Sequence, residues 1–275
     1  MSASPAKIGM WIHGSSGKMG REIQQALLGN ADSAFKLVGG SARRFEGELF
    51  HQGKTVTPEL LASVLVKDGV DLILDFSAGD GNDVLLAAVR AANIHGKSIL
   101  IGTTGLTADQ LLRWRAVVEA QELRLLVAPN TSIGILLMAQ ASLATAGVLS
   151  KLGFDIEIVE THHRQKVDAP SGTAKFIAKS LIDRIDGLRM ALTRNGARQK
   201  GEIGMHAVRG GAVFGEHELR LLGNGEELTI AHRAFSRGLF ASGAMVLGEW
   251  LLKQPPGFYG LLDVKVEDLL KVTRA

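Results

Sequence analysis

Cysteine is absent from this chain. Its absence excludes a disulfide scaffold, thiol catalysis and any cysteine-ligated zinc, and fits a reducing compartment. Charge of one sign is missing too. The 31 Lys+Arg stand against 28 Asp+Glu, a net of +3 spread along the chain without the basic stripe of a nucleic-acid footprint. No nucleic-acid partner is expected. No stretch approaches the roughly 18 to 20 apolar residues that span a bilayer, and no leader pattern precedes the first strand-like run. A cytoplasmic protein with no membrane partner is expected.

What is present is ordinary for a folded protein: 46% hydrophobic and 21% charged residues over 275 positions, enough for two modest domains. Glycine, at 33 residues, exceeds its usual share of about 7%, a sign of tight turns and close ligand approach. Strand patterns at Ile8–Ile12, Phe35–Gly39, Leu72–Phe76, Ser98–Ile101 and Leu123–Val127 alternate with helical patterns at Arg21–Leu28, Val84–Ala92 and Ala108–Gln121. Such alternation predicts an α/β, doubly wound parallel sheet of Rossmann type.

After Ala128-Pro-Asn130 the pattern changes to a long helix, Ile133–Leu149, then a strand, Phe154–Glu160. Two further strand patterns, Glu218–Leu222 and Glu227–Ala231, flank the turn sequence Gly223-Asn-Gly225. Residues 193–211, rich in Gly, Arg and Lys, read as a long loop. Helical spacing returns at Ala241–Leu252. We expect residues 1–130 and 239–275 to form a dinucleotide-binding domain. Residues 131–238 are expected to form an α+β domain with an open mixed sheet.

Gly14, Gly17 and Gly20 have GxxGxxG spacing between a strand and a helix, where backbone N–H groups and the helix dipole meet a pyrophosphate. Lys18 adds charge. Where NAD-preferring folds carry an acid after the second strand, this chain reads Ala42-Arg-Arg44. Arg43 and Arg44 suit a 2′-phosphate, so NADPH is favoured, with NADH possible; the competing reading is a solvated arginine loop. His13, just before the glycine loop, reads as a packing residue. Gly102-Thr-Thr-Gly105 and Ala128-Pro-Asn-Thr131 follow strands, at the edge where ligands of open α/β sheets bind.

The run Glu160-Thr-His-His-Arg-Gln-Lys-Val-Asp-Ala-Pro-Ser-Gly-Thr173 holds little apolar filler. His162 and His163 exchange protons near neutral pH, and Lys166 donates one or neutralises a carboxylate. Adjacent strand residues face opposite ways, so both histidines reach one ligand only where the backbone leaves the strand. Spacing alone does not choose the acid. Gly172 and Thr173 would open a helix whose N-terminal amides, with Lys166, form a cradle for a carboxylate. A metal site is a weaker rival, because His162 and His163 would need His206, His217 or His232 brought in by folding. The metal expectation is none.

Residues Glu160–Ala174 closely resemble the signature of the 4-hydroxy-tetrahydrodipicolinate reductase family. The resemblance extends to the glycine loop, Gly102–Gly105, Ala128–Asn130, Phe214-Gly-Glu-His217 and Ser236–Gly243. It implies NAD(P)H-dependent reduction of a small dicarboxylate, with loss of water, in diaminopimelate and lysine biosynthesis by a homotetramer. By the same resemblance His162 is proton donor and acceptor, Lys166 a proton donor and His163 a substrate contact, while Gly172 and Thr173 hold a substrate carboxylate. Gly14, Ser15, Ser16, Gly17, Lys18 and Met19, then Gly102, Thr103 and Thr104, then Ala128, Pro129, Asn130 and Thr131, would line the cofactor, with Arg237 contributing, beside the Arg43 already assigned to a 2′-phosphate. The chain departs from the family at Ala42, where NADH users often carry an acid, at Thr131, where some relatives have an aromatic, and at His13, in place of a small residue.

Two rivals remain. One is a non-catalytic NADPH sensor, against which the intact His162, His163 and Lys166 set argues. The other is a short-chain or sugar dehydrogenase on the same nucleotide fold, which would need a Tyr-x-x-x-Lys pair or another site set; the single tyrosine, Tyr259, has no lysine four residues later.

Overall fold

The computed structural model describes residues 6–30, 33–46 and 53–272. Met1–Pro5, on which the reading of the chain's start rests, lie outside them. In chain order the elements are β1 Ile8–His13, α1 Lys18–Leu28, β2 Phe35–Ser41, β3 Phe45–Glu46, α2 Pro58–Leu65, β4 Leu72–Asp75, α3 Gly79–Ala92, β5 Ser98–Ile101, α4 Ala108–Gln121 and β6 Arg124–Val127. There follow α5 Ile133–Leu149, β7 Asp155–His162, α6 Gly172–Ile182, β8 Arg189–Ala191, β9 Glu202–Arg209, β10 Gly215–Leu222, β11 Glu227–Ala234, α7 Gly238–Leu252, β12 Gly257–Gly260 and α8 Val266–Val272. The chain divides into two compact units, residues 1–131 with 238–275, and residues 132–237.

The first unit is a seven-stranded sheet in the order β12-β6-β5-β4-β1-β2-β3, parallel except for the antiparallel edge strand β3. Both faces are buried, which is why its strands read as continuous apolar runs. Trp11, Ile73, Ile99 and Leu125 lie side by side in register across four strands and pack against α2, α3 and α4 through Leu61, Leu85, Val89 and Trp114. On the other face Ile12, Leu74, Leu100 and Leu126 form a second buried row, and α7 crosses β4, β5 and β6. Each such side chain contributes about 1.5–3 kcal/mol on burial, so these rows anchor the loops at the strand ends. Local chemistry ends the helices cleanly. The Thr107 hydroxyl accepts from Gln110 N–H at 3.1 Å while Gln110 Oε1 accepts from Thr107 N–H at 2.9 Å, a reciprocal cap that starts α4.

The strand order reverses between β1 and β4, with β2 and β3 to one side and β5, β6 and β12 to the other. That switch point opens a crevice at the carboxyl ends of β1 and β4, where ligands of such sheets bind.

The second unit is a five-stranded mixed sheet, β11-β10-β7-β9-β8. Strand β10 runs antiparallel to both its neighbours, β11 and β7, and β7, β9 and β8 are parallel. Only one face is covered: Ile156, Ile158, Ile203, Met205, Leu219 and Leu221 pack against Ile135 and Met138 of α5 and Ile177 and Leu181 of α6. The other face carries the charged positions of β10 and β11, such as Arg220 paired with Glu227 at 2.6 Å.

Two expectations are corrected here. Residues 193–211 are not one loop, because 202–209 form β9, inserted between β7 and β8. Its Gly204 answers a packing need rather than a turn: a Cβ there would stand 1.8 Å from Glu157 Oε2. The arginines before the strand serve that same carboxylate, with Arg194 Nη2 donating to Glu157 Oε1 at 2.6 Å. The second correction concerns apolar length. With a following 3₁₀ turn, α5 runs continuously over Ile133–Leu152 at a mean hydropathy of 1.7. By length and composition that is enough to cross a membrane, the one such helix among the described residues. Gln140, Ser142 and Thr145 interrupt its apolar run in sequence, but they do not break the helix.

Candidate functional site

In the first unit the chain leaves β1 through Gly14, whose φ of +90° disfavours any side chain and whose added Cβ would lie 2.5 Å from the Phe76 carbonyl oxygen. Gly14 N–H and Ser15 N–H both donate to Ser41 O, at 2.6 and 3.1 Å, tying the loop to the end of β2. Gly20 brings α1 against this turn, since a Cβ there would sit 2.5 Å from both Gly14 O and Ser15 O. Helix α1 has Gly17 at its N-cap, no side-chain cap and no acid in its first turn. Its positive end is therefore uncompensated, as an anion cradle requires. Ser15 is buried, Ser16, Gly17 and Lys18 are exposed, and Met19 is half-buried.

Gly102, Thr103 and Thr104 follow β5, and Ala128, Pro129, Asn130 and Thr131 follow β6. Parallel β1, β4, β5 and β6 bring these two segments and the glycine loop to one sheet edge. Two side chains on that edge are already engaged. The Thr103 hydroxyl donates to Asp75 Oδ2 at 2.9 Å, and the Thr131 hydroxyl donates to Phe240 O at 2.7 Å. Arg43 and Arg44, just past β2, are exposed. Arg237 closes the second unit's sequence, with its guanidinium 5.8 Å from the Phe214 ring centroid.

Sequence reasoning missed Asp75, the last residue of β4. Its fully buried carboxylate accepts from Ser77 N, Ser77 Oγ, Asn82 Nδ2 and Thr103 Oγ1 at 2.6–3.0 Å, and so holds together the loops after β4 and β5. His13 is buried as a bridge. Trp11 Nε1–H donates to Ser41 Oγ, whose hydroxyl lies 2.8 Å from His13 Nδ1, and His13 Nε2 lies 2.9 Å from Gly81 O. A carbonyl only accepts and an indole N–H only donates, so the proton sits on Nε2.

In the second unit His162 is the last residue of β7, on the helix-covered face, and the backbone leaves the strand at His163. His162 Nδ1 lies 2.5 Å from Glu160 Oε2. The Glu160 side chain is fully buried, and its carboxylate also accepts from Ser171 N–H at 2.9 Å and from both terminal nitrogens of Arg209 at 2.7 and 2.8 Å. Burial would raise its carboxyl, but Arg209, His162 and Ser171 together outweigh that and hold it below the ordinary range. Burial pushes the His162 imidazole down; Glu160 opposes the shift, and Lys166 and Arg209 reinforce it. His162 is therefore neutral at pH 7.

His217 faces His162 edge-on, with ring centroids 5.2 Å apart. Burial, then His162, push it down to about 3, and its Nε2 shares a 3.1 Å hydrogen bond with Ser171 Oγ. Ser171 also caps α6 by accepting from Ala174 N–H. His163 is half-buried and donates its backbone N–H to Val213 O. Lys166 Nζ lies 2.8 Å from Asp168 Oδ1, and the Asp168 carboxylate also takes the backbone N–H of Gly172. The helix start at Gly172 and the Lys166 ammonium thus share one anion, the chain's own Asp168. Burial would raise the Asp168 carboxyl, yet Lys166 and the backbone donors hold it below its usual range.

The two remaining histidines considered for a metal are engaged elsewhere. His206 Nε2 meets Glu157 at 2.6 Å and His232 Nε2 meets Ser132 at 3.2 Å. A cavity of about 620 Å³ lies at the opposite end of β7, lined by Lys151, Phe154, Arg184 and Lys200, and contains none of the sequence-predicted residues.

A glycine turn on an uncapped helix at the switch point of a parallel sheet, in a chain whose second unit holds a buried histidine and carboxylate, defines an oxidoreductase of the Rossmann class. The family model described as "Dihydrodipicolinate reductase, N-terminus" matches residues 8–131, and "Dihydrodipicolinate reductase, C-terminus" matches residues 134–264. The chain belongs to the dihydrodipicolinate reductase family. It is 36% identical over 262 residues to the 4-hydroxy-tetrahydrodipicolinate reductase of Methanosarcina acetivorans, covering 92% of this chain and 97% of that one. Against the reductase of the same name from Caulobacter vibrioides it is 34% identical over 269 residues, covering 95% and 98%. Among solved structures, dipicolinate-bound dihydrodipicolinate reductase from Paenisporosarcina sp. TG-14 superposes with a TM-score of 0.71 at 25% identity, covering 94% of this chain and 100% of that one.

Proposed function

We propose that this protein reduces (2S,4S)-4-hydroxy-2,3,4,5-tetrahydrodipicolinate to tetrahydrodipicolinate, with loss of water, in diaminopimelate and lysine biosynthesis. NADPH is the preferred cofactor and NADH the weaker one. The observation that carries this reading is the Asp168 carboxylate lying between Lys166 and the N-terminus of α6 in a member of this family. It marks a carboxylate position beside the neutral His162.

The turn of Gly14, Gly17 and Gly20, whose close packing against the Phe76, Gly14 and Ser15 backbone a Cβ at Gly14 or Gly20 would prevent, fits a dinucleotide pyrophosphate. Bound there, the reduced nicotinamide supplies a hydride. Arg43 and Arg44 are assigned to the 2′-phosphate, and the backbone of residues 102–104 and 128–131 to the rest of the cofactor, since Thr103 and Thr131 spend their hydroxyls within the protein. We assign no contact to Arg237 beyond a secondary one.

The net change removes water and adds one hydride and one proton. A substrate carboxylate displaces Asp168 and takes the Gly172 and Thr173 amides and the Lys166 ammonium, with His163 as a further contact. A neutral His162 accepts a proton before it donates one, so it serves as acceptor and then donor, while Lys166 donates from the outset. Holding the ring by its carboxylate at a fixed position supplies much of the rate. The helix-free face of the second sheet is assigned to a homotetramer, which sedimentation would test.

The decisive assay generates the 4-hydroxy compound from pyruvate and aspartate semialdehyde with a coupled synthase and follows NADPH absorbance, with NADH in parallel. Synthase-dependent oxidation is expected. Folded protein that binds NADPH but oxidises none would replace this reading with a non-catalytic sensor.

A further inference from the structure

We infer that Glu160 and Arg209 are positioning residues that lock His162 in its Nδ1–H tautomer, making Nε2 the atom that exchanges a proton with substrate. The inference rests on the role proposed above for His162 and adds what sets that role.

Both members of the pair are saturated. Glu160 Oε2 accepts from His162 Nδ1 and Arg209 Nη1, and Oε1 accepts from Ser171 N and Arg209 Nη2. An ionised carboxylate has about four acceptor sites and no proton to give, so the hydrogen between it and the imidazole belongs to Nδ1. Arg209 spends its remaining N–H groups on Val208 O at 2.7 Å, Asp168 O at 2.6 Å and Lys166 O at 3.2 Å. One guanidinium therefore fixes both the carboxylate behind His162 and the backbone that carries Lys166 and Asp168. Burying an unpaired carboxylate is costly, and Arg209 offsets that cost.

His162 Nε2 has no hydrogen-bond partner among the described residues, and it is not sealed off. Gly215 keeps it open, because a Cβ there would stand 3.0 Å from Nε2. The charged or titratable groups around the ring are Glu160 on its own strand, Arg209 on β9, His217 on β10 and Lys166 on the loop that follows β7. Glu160 alone among them favours the imidazolium. Removing its charge should therefore lower the pH at which His162 titrates.

The first test needs no variant. Long-range ¹H–¹⁵N correlation on the intact protein near pH 7.5 should show Nδ1 of His162 protonated and Nε2 with a free lone pair; the reverse tautomer overturns the inference. The second test compares Glu160→Gln with His162→Gln. Glu160→Gln should lower kcat at least about tenfold, leave KM and NADPH Kd near wild type, and move the acidic limb of the kcat profile to lower pH, with partial rescue by Glu160→Asp. A folded Glu160→Gln protein with wild-type kcat and pH profile, beside an inactive His162→Gln, sinks the positioning role alone. Full activity of His162→Gln sinks the catalytic assignment beneath it.

Discussion

The first unit presents its candidate site largely as backbone, and the second presents its site as side chains. At the end of β1 the working parts are a left-handed glycine, a helix with no cap and carbonyls that a Cβ would strike. At the end of β7 they are a buried carboxylate, a guanidinium and imidazoles bonded to one another. The contrast follows from what each end is proposed to handle. A pyrophosphate is held well by amides and a dipole that never change charge. Moving a proton needs groups whose charge can change, and those must be held in place by partners of their own.

The comparison breaks most sharply in the second unit. His162→Gln or Lys166→Ala should lower kcat by about 10²–10⁴-fold while NADPH binding, read by cofactor fluorescence, stays near wild type. Retained turnover would remove both residues from the proposed roles. In the first unit Gly14→Ala should do the converse. Placing a side chain at φ +90°, within 2.5 Å of Phe76 O, should weaken NADPH binding and lower stability by about 1–3 kcal/mol, read by titration and by thermal melting. An unchanged NADPH Kd would mean that the cradle is not where cofactor binds.

A smaller effect sharpens the cofactor assignment. Arg43→Ala should raise KM for NADPH about tenfold, more with Arg44→Ala, and leave KM for NADH almost unmoved. Equal losses for both cofactors would return the two arginines to the solvated-loop reading.

The last effect concerns acid. His217 falls from an ordinary value of 6.5 to about 3 in the folded chain. Between those values the unfolded chain binds the extra proton, so stability is present in full above about pH 6.5 and is lost as pH falls toward 3. In denaturant titrations across that window, His217→Gln should flatten the slope by up to about 1.4 kcal/mol per pH unit. An unaltered slope would place the acid sensitivity in other groups.

Legibility in sequence followed the same division. Ser98–Ile101, Ala108–Gln121 and Ile133–Leu149 occupy the predicted spans, because apolar periodicity reports elements packed on a core. The glycine loop was legible because only glycine meets its backbone demands. The strand at 202–209 was not: half of its residues face charges rather than core, and Gly204 is there to seat Glu157. Arg209 was lost with that strand. Glu160 stood in the motif, but its strongest partner, Arg209, comes from another strand, and no local spacing encodes such a contact. Asp75 ends an apolar run and looks like a strand terminus, although it organises two loops. Short elements with few core contacts, such as β8 and β12, left no readable period.

The discontinuity of the first unit sets an order of synthesis. Strand β12 pairs with β6, and α7 covers β4, β5 and β6, yet both elements lie beyond residue 237. While the ribosome is still translating, the glycine-loop sheet waits with one face bare and one edge open. The intervening unit, whose core contacts all fall within residues 132–237, can fold first. The half proposed to handle the proton is thus ready before the half proposed to hold the cofactor is closed, and residues 238–275 decide when a nucleotide can first bind.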